Sequence, residues 1–277
     1  MQTEPLSPAA IVAQLDAPTQ AALPVHVLPT VDSTNDWCRR RYREGAAPPL
    51  ACFAEQQTRG RGRRGRSWLS AAGANITLSL LWRFALPLHR LGPLPLFVGL
   101  TIRDCLRSVG ISSAQLKWPN DVLAGGDKIA GVLIESVRGD AAFADMIVGM
   151  GLNYAMPAQA MPDGIRWTDA CRHLPPDSGV SRNRLAGMLL QDVAAACRQF
   201  DSQPQTCLRR LQQCFSEPQW VDIHTAGADK RTGLTKGITS EGALRVEING
   251  EEQVFSSADV SLRSPAVTRE RAVAGDP

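Results

Sequence analysis

The chain has 277 residues, of which 44% are hydrophobic and 21% charged, and its formal net charge is +3 at pH 7. These values are typical of globular proteins and exclude the intrinsically disordered and collagen-like classes. The longest weakly polar stretch, 91–102, is shorter than the ~18–20 residues of a bilayer span, and the N-terminus lacks the basic and apolar segments of a secretory signal.

The first half of the chain predicts short strands separated by helices. Residues 1–24 show weak periodicity and are predicted to form a loose N-terminal extension. The local patterns then predict strands at 25–28, 50–54 and 75–84, and helices at about 34–43 and 94–109.

The second half continues with strands at 114–118, 128–137 and 143–153, which the turn signals between them predict to pair as antiparallel hairpins. Residues 155–180 are aperiodic and predict a long loop. Two helices are predicted at 182–200 and 204–215.

A composition shift at Glu217-Pro218 predicts a domain boundary. About five short strands are predicted within 219–263, which favours a small barrel. The expected fold is α+β with a mixed, largely antiparallel sheet. Its parts are an N-terminal extension (1–24), a main domain (25–217), a C-terminal domain (218–264) and a tail (265–277).

Seven cysteines are scattered along the chain and are never spaced C-x-x-C. An odd number without this spacing argues against a disulfide framework and against a zinc site. A reducing, cytoplasmic location without membrane association is therefore expected.

The positive charge is concentrated in one short segment. Five arginines lie between residues 59 and 66, and the rest of the chain carries a net charge of −2 when they are set aside. By contrast, the chain contains only four lysines: Lys117, Lys128, Lys230 and Lys236. Because arginine is used almost everywhere else, the closely spaced pair Lys117 and Lys128 suggests a chemical role.

Residues 60–67 (GRGRRGRS) alternate glycine with arginine. The run fits the dinucleotide-binding pattern G-x-G-x-x-G, but no acid between Glu55 and Asp104 is available to hold a ribose, and the P-loop lysine is missing. Glycines let the backbone approach a ligand, and arginines bind phosphate or carboxylate. Taken alone, the run is equally consistent with an exposed loop that contacts RNA or nothing. The flanking Gln57 and Trp68 favour a structured site with a mobile lid.

The second motif is 117–121 (KWPND), followed by 128–131 (KIAG). A Trp-Pro-Asn-Asp turn presents an amide and a carboxylate after a strand, and Lys128 can return to Asp121 across the hairpin. A surface ion pair would contribute only ~0–1 kcal/mol, but the scarcity of lysine favours function. In the third motif, 148–153 (VGMGLN), the glycines leave room for a flat ring or simply form a small-residue core strand.

In this order, the motifs resemble the biotin protein ligase family (biotin–[biotin carboxyl carrier protein] ligases). The matching elements are Ser33-Thr34-Asn35, Gln57, the run from Gly60 to Trp68, Lys117 to Asp121, Lys128 to Gly131, and Gly149 to Asn153. The resemblance covers about 28–263 and is looser in the C-terminal part. It implies a class II synthetase-like catalytic domain and a small SH3-like β-barrel.

The resemblance also implies a two-step reaction. The carboxylate of biotin attacks the α-phosphate of ATP, supplied with Mg²⁺, to give biotinyl-5′-AMP and pyrophosphate. A lysine of the biotin carboxyl carrier protein domain of a biotin-dependent carboxylase then displaces AMP. Bringing two anions together requires fixed positive charge and N–H donors, which the arginine-rich run and Lys128 can supply.

Site residues follow from the same resemblance. The biotin-binding residues implied are Ser33, Thr34, Asn35, Gln57, Arg61, Gly62, Arg63, Lys128 and Gly131. The ATP- or adenylate-binding residues implied are Arg63, Trp68, Lys117, Asn120, Lys128, Gly149, Asn153 and Trp167. Arg63, Lys128 and Asp121 are the predicted catalytic residues, and Asp121 is expected either to bind a metal or to guide the incoming lysine.

Some members of this family carry an N-terminal winged helix-turn-helix and act as repressors. Residues 1–24 are too few for a three-helix DNA reader of ~60 residues. The expectation is an enzyme without repressor activity and without a DNA partner, and the sequence is compatible with a homodimer.

Two alternatives remain open from the sequence. A lipoate–protein ligase would share the fold and the adenylation chemistry, although the arginine-rich run and the KWPND motif favour biotin. A nucleic-acid-binding protein would need aromatic stacking platforms or a broader basic face, whereas aromatic residues make up only 5% of the chain.

Overall fold

The computed structural model describes residues 4–160, 164, 166–225, 230–256 and 258–262. It divides the chain into two units, residues 1–204 and 205–277. Each unit contains its own β-sheet.

A seven-stranded sheet forms the centre of the first unit, in the order β1-β2-β3-β7-β6-β5-β4. Strands β1 and β2 are parallel, and every other neighbouring pair is antiparallel. The strands are β1 (Val25–Val31), β2 (Leu50–Gln57), β3 (Asn75–Phe84), β4 (Ala114–Lys117), β5 (Asp121–Ala124), β6 (Asp127–Gly139) and β7 (Ala144–Asn153). This confirms the predicted mixed, largely antiparallel α+β fold. The sequence interpretation missed β5, which begins at the last residue of the KWPND motif.

The three longest helices of the first unit pack on this sheet. Helix α3 (Thr34–Arg43) contacts β2, β3 and β7, α4 (Leu94–Ser108) contacts β4 to β6, and α5 (Arg182–Ser202) contacts β3. Every residue of β7 is buried. Because the central strands are covered on both faces, they show no clear alternation of apolar and polar residues.

The N-terminal segment is ordered, which corrects the expectation of a loose extension. It forms two short helices, α1 (Pro8–Val12) and α2 (Ala17–Ala22), whose N-caps are Ser7 and Asp16. Ile11 is fully buried. A Cβ atom added at Gly187 of α5 would come within 2.6 Å of the Gln14 side chain, so the segment packs closely on α5. The sequence signal that was missed is a capping residue just before each helix, with a proline in its first turn.

Arg182, at the start of α5, has a fully buried side chain. Its Nε and Nη2 atoms donate to the Asn75 carbonyl at 2.9 and 2.7 Å, and its Nη1 lies 2.7 Å from Glu55 Oε2. The Leu6 amide donates to the other oxygen of Glu55. One buried guanidinium and its carboxylate partner therefore connect the N-terminal segment, α5, β2 and β3.

The division between the units falls after Pro204, the first residue of helix α6 (Pro204–Cys214), whereas the composition shift places it after residue 217. The second unit therefore contains most of this helix. Its five-stranded antiparallel sheet has the order β11-β10-β9-β8-β12. The strands are β8 (Trp220–His224), β9 (Arg231–Ile238), β10 (Leu244–Ile248), β11 (Glu251–Phe255) and β12 (Asp259–Leu262). The prediction of five short strands is confirmed. The predicted tail, 265–277, lies outside the described residues.

All seven cysteines are free thiols, as their spacing predicted. Over the portions of the chain described above, no helix has both the length and the apolar character needed to cross a membrane.

Replacing Arg182 tests the buried connection. Arg182→Ala should lower the free energy of unfolding by about 3–5 kcal/mol, because the Glu55 carboxylate would lose its buried partner. Urea unfolding followed by tryptophan fluorescence measures this change. The control is Arg184→Ala, an exposed position on the same helix, with an expected change within about 0.5 kcal/mol. Equal effects of the two substitutions would contradict this account of Arg182.

Candidate active site

A group of buried polar side chains lies where the start of α3 meets β2 and β3. Ser33, Thr34 and Asn35 are 3–4% exposed. The amide and hydroxyl groups of Thr34 donate to Gln57 Oε1 at 2.8 and 3.1 Å. The Ser79 hydroxyl lies 2.7 Å from Thr34 Oγ1 and 2.5 Å from Asn35 Oδ1. Four predicted biotin-binding residues are thus brought together around Ser79.

The start of α3 is fixed by Asp32. Its carboxylate accepts from the Ser33 amide at 2.8 Å and from Arg40 Nη1 and Nη2 at 2.7 and 2.9 Å. The hydrogen bonds from Arg40, together with the Ser33 amide, lower the pKa of Asp32 to about 2. This carboxylate orients the three residues that follow it.

The glycines of β7 admit groups from the protein itself. A Cβ atom at Gly149 would lie 2.2 Å from Asn35 Oδ1, and one at Gly151 would lie 2.3 Å from the Trp68 ring. The predicted room for a flat ring therefore exists, and at Gly151 the indole of Trp68 lies in it. Gly149, which was expected beside the adenine, lies against Asn35 of the buried polar group.

The arginine-rich run forms a compact turn that is closed by its own backbone contacts. Arg61 and Ser67 form an isolated β-bridge, and the Trp68 amide donates to the Gly60 carbonyl at 2.9 Å. At the tip, Arg64 and Gly65 have φ values of 56° and 73°, a left-handed conformation that favours glycine. We call residues 60–68 the arginine turn.

The arginine turn directs two of its side chains towards the sheet. Arg61 Nη2 lies 2.7 Å from Asp36 Oδ1 and 2.8 Å from Glu135 Oε2. Arg63 Nη1 donates to Asn120 Oδ1 at 3.3 Å. These contacts argue against a loop that is extended into solvent to bind nucleic acid.

Lys128 and Asp121 form the centre of the site. Lys128 Nζ lies 2.6 Å from Asp121 Oδ1 and 5.7 Å from the centre of the Trp68 ring. A Cβ atom at Gly131 would lie 3.2 Å from Lys128 Nζ, so glycine leaves space for the ammonium group. Lys117 is the cross-strand partner of Asp121. The KWPND and KIAG motifs therefore meet as the sequence predicted.

The middle of the long loop 155–180 lies beside Lys128. The Thr168 amide donates to the Lys128 carbonyl at 2.9 Å, and Trp167 forms an isolated bridge with Lys128. Asn153 Nδ2 donates to the Thr168 carbonyl at 3.0 Å. The Arg172 guanidinium lies over the Trp167 ring, with its central carbon 4.3 Å from the centre of the ring. The side chain of Asn153 is therefore hydrogen-bonded to the loop segment that carries Trp167. Both residues were predicted to bind the adenylate.

Three further polar residues of the site were not identified from the sequence. Asn75 donates to Asn153 Oδ1 at 3.1 Å, Ser79 connects Thr34 with Asn35, and Glu135 accepts from both Asn35 and Arg61. The available signal was a lone polar residue within or at the start of an apolar strand, because such residues are buried only when hydrogen-bonded.

Among the described residues, no cluster of three or more His, Cys, Asp or Glu side chains could hold a metal ion. Asp121, the predicted ligand, is paired with Lys128.

Comparisons with known proteins agree on one family. Residues 27–153 match the biotin/lipoate A/B protein ligase family, and residues 221–263 match the biotin protein ligase C terminal domain. The bifunctional ligase/repressor BirA of Escherichia coli is 32% identical over 259 residues, which is 92% of this chain and 77% of that protein. The biotin–[acetyl-CoA-carboxylase] ligase of Mycobacterium tuberculosis is 32% identical over 84% of this chain and 87% of its own length.

The fold has solved counterparts. The structure of the biotin protein ligase from Aquifex aeolicus in complex with biotin and ATP has a TM-score of 0.68 and 27% identity with this chain. It covers 87% of this chain, and the match spans 98% of that protein.

The lowered pKa of Asp32 predicts that this residue stabilises the folded protein by an amount that decreases in acid. Its folded pKa of about 2 lies below the ~3.9 of an unfolded Asp. The stabilisation is therefore fully present above about pH 4 and is lost as the pH falls towards 2. Its size should be about 1–2 kcal/mol, since the partner Arg40 is partly exposed.

Thermal unfolding of the wild type and of Asp32→Asn between pH 2 and 7 measures this contribution. The stability difference should be largest at neutral pH and should vanish near pH 2. A difference that stays constant with pH would show that the Asp32 charge is not responsible.

Proposed function

Since the chain belongs to the biotin/lipoate A/B protein ligase family and matches biotin protein ligases over most of its length, we propose that it is an ATP-dependent biotin ligase. It forms biotinyl-5′-AMP from biotin and ATP, and then transfers biotin to a lysine of an acceptor protein. The acceptor we propose is the biotin carboxyl carrier protein domain of a biotin-dependent carboxylase. The observation that carries the proposal is the Lys128–Asp121 pair beside a buried set of hydroxyl and amide groups.

The buried polar group suits the ureido ring of biotin. This ring offers one carbonyl acceptor and two N–H donors, and Ser33, Thr34, Asn35 and Gln57 supply hydroxyl and amide partners with little exposure to water. The dithiolane ring of lipoate cannot use such partners, and buried polar groups left unpaired strongly disfavour the wrong substrate. This chemistry favours biotin over the lipoate alternative.

The first step joins two anions. An oxygen of the biotin carboxylate attacks the α-phosphorus, and the bond to pyrophosphate breaks. We assign Lys128 to the incoming carboxylate and phosphoryl oxygens, since Asp121 holds its ammonium group in place. Arg63, which reaches Asn120 from the arginine turn, adds the second positive charge. Fixed charges in a partly dehydrated site stabilise such a transition state.

We place the adenosine near the Asn75–Asn153 pair and Trp167. Within the described residues, Trp68 Nε1 is buried and has no hydrogen-bond partner. A buried unpaired donor is costly, and a bound acyl-adenylate would supply an acceptor. Trp68 and Gly151 would then form one wall of the adenylate site.

In the second step, the amine of the acceptor lysine attacks the acyl carbon and AMP leaves. Pairing with Lys128 favours a positioning role for Asp121 over metal binding. Mg²⁺ that arrives with ATP would be held by phosphate and water oxygens. All of the residues assigned to these steps lie in the first unit, where we place the chemistry.

Exchange of labelled pyrophosphate into ATP tests the proposal. Exchange should require biotin and should not occur with lipoate. Lys128→Ala should slow it about 100- to 1,000-fold, because one preorganised charge on the developing anion is removed. The control is Lys236→Ala, since Lys236 has the same 36% side-chain exposure and also pairs with a carboxylate. Exchange that depends on lipoate instead of biotin would overturn the assignment.

Loss of Arg63 should have a different effect. Arg63 belongs to a turn that can close over the ligand, so Arg63→Gly should still form the adenylate but release it about 10-fold faster or more, the equivalent of one charge-assisted contact. Without carrier protein, biotinylation of bystander lysines should rise. Arg64→Gly is the control, because Arg64 lies at the exposed tip with a left-handed backbone that glycine tolerates. Retention of adenylate equal to that of the wild type would refute this role.

A further inference from the structure

Glu135 of β6 contacts both the buried polar group and the arginine turn through a single oxygen. Its Oε2 atom accepts from Asn35 Nδ2 at 2.8 Å and from Arg61 Nη2 at 2.8 Å. Its Oε1 atom lies 3.4 Å from Arg39 Nη2. The glutamate side chain is 21% exposed, so it lies at the border between the pocket and solvent.

On the pocket side, Glu135 fixes the orientation of the Asn35 amide. Asn35 Nδ2 donates to Glu135 and to the Leu133 carbonyl, and Asn35 Oδ1 faces the Ser79 hydroxyl. A flipped amide would turn its oxygen towards a carboxylate and a carbonyl, which both lack a proton to donate. Gly149 lies directly against the same amide, so a tilted orientation has no space.

On the turn side, Glu135 and Asp36 hold the same guanidinium nitrogen of Arg61. Asp36 and Glu135 come from α3 and β6, so the arginine turn is attached to two elements that also border the pocket. Glu135 contacts both Arg61 and Asn35. Loss of this one carboxylate would remove a charge-assisted hydrogen bond from the pocket amide and from the arginine turn together.

We infer that Glu135 is a positioning residue, which makes biotin binding in the pocket and closure of the arginine turn depend on each other. It acts through Asn35 and Arg61 and does not itself contact the reacting atoms. The inference rests on the proposed biotin ligase function, because it assigns Asn35 to the biotin pocket and the arginine turn to retention of the adenylate.

The test separates the contact of Glu135 with Asn35 from its contact with Arg61. Glu135→Ala should weaken biotin binding about 5- to 30-fold and also speed release of biotinyl-5′-AMP by a similar factor, since each side loses a charge-assisted hydrogen bond. Asp36→Asn removes a partner of Arg61 but none of Asn35. It should speed adenylate release while leaving the biotin dissociation constant within about twofold of the wild type.

Calorimetry with biotin and a filter assay of adenylate retention give the two readouts on the full chain. In all variants the KM for ATP should change by less than about twofold, which a general loss of structure would not allow. Glu44→Gln is the control, because Glu44 forms an exposed ion pair with Arg41 away from these contacts, and it should change neither readout.

A second variant guards against failure of Glu135→Ala to fold. Glu135→Gln keeps an oxygen for both donors but loses the charge, so both effects should appear at about 2- to 5-fold. The inference is overturned if the Glu135 variants change neither readout or only one of them. A wild-type protein that binds no biotin would overturn the proposed function as well, whereas normal biotin binding by every variant would overturn this inference alone.

Discussion

In the antiparallel pairing of β3 with β7, Asn75 lies opposite Asn153 and Ser79 lies opposite Gly149. The site depends on this register. Ser79 supports Thr34 and Asn35 because Gly149, across from it, leaves the space that the Asn35 amide occupies. A slip of one residue would move every side chain to the opposite face of the sheet, and would therefore separate these groups.

The polar groups of the site are stable in the interior because they satisfy one another. Asn75 donates to Asn153, and Asn153 donates to the loop that carries Trp167. The Asn75 carbonyl receives two hydrogen bonds from the buried Arg182. Since an unpaired buried polar group is costly, such a network favours one arrangement, and a preorganised pocket follows from it. The N-terminal segment contributes by packing against α5.

Three cations of the site are held by partners that are already in place. Lys128 is paired with Asp121, Arg61 with Asp36 and Glu135, and Arg63 with the Asn120 amide. Long flexible side chains lose conformational freedom when a ligand orders them, and partners already in place reduce that loss. The concentration of arginine in one short run therefore belongs to a folded turn whose side chains contact other elements of the first unit.

The sequence by itself determined the family, the α+β class, most strands and the meeting of the KWPND and KIAG motifs. The family follows from the resemblance of the motifs, taken in their order along the chain, and the strands and helices follow from local spacing and turn residues. The sequence did not identify Asn75, Ser79 or Glu135 as residues of the site. It also missed strand β5 and the two helices of the N-terminal segment. Only the tertiary structure decided that Gly149 lies against Asn35 and that Glu135 connects Asn35 with Arg61. The physical reason is that such contacts join residues far apart in the chain, and strand register and helix packing, which no local pattern encodes, bring them together.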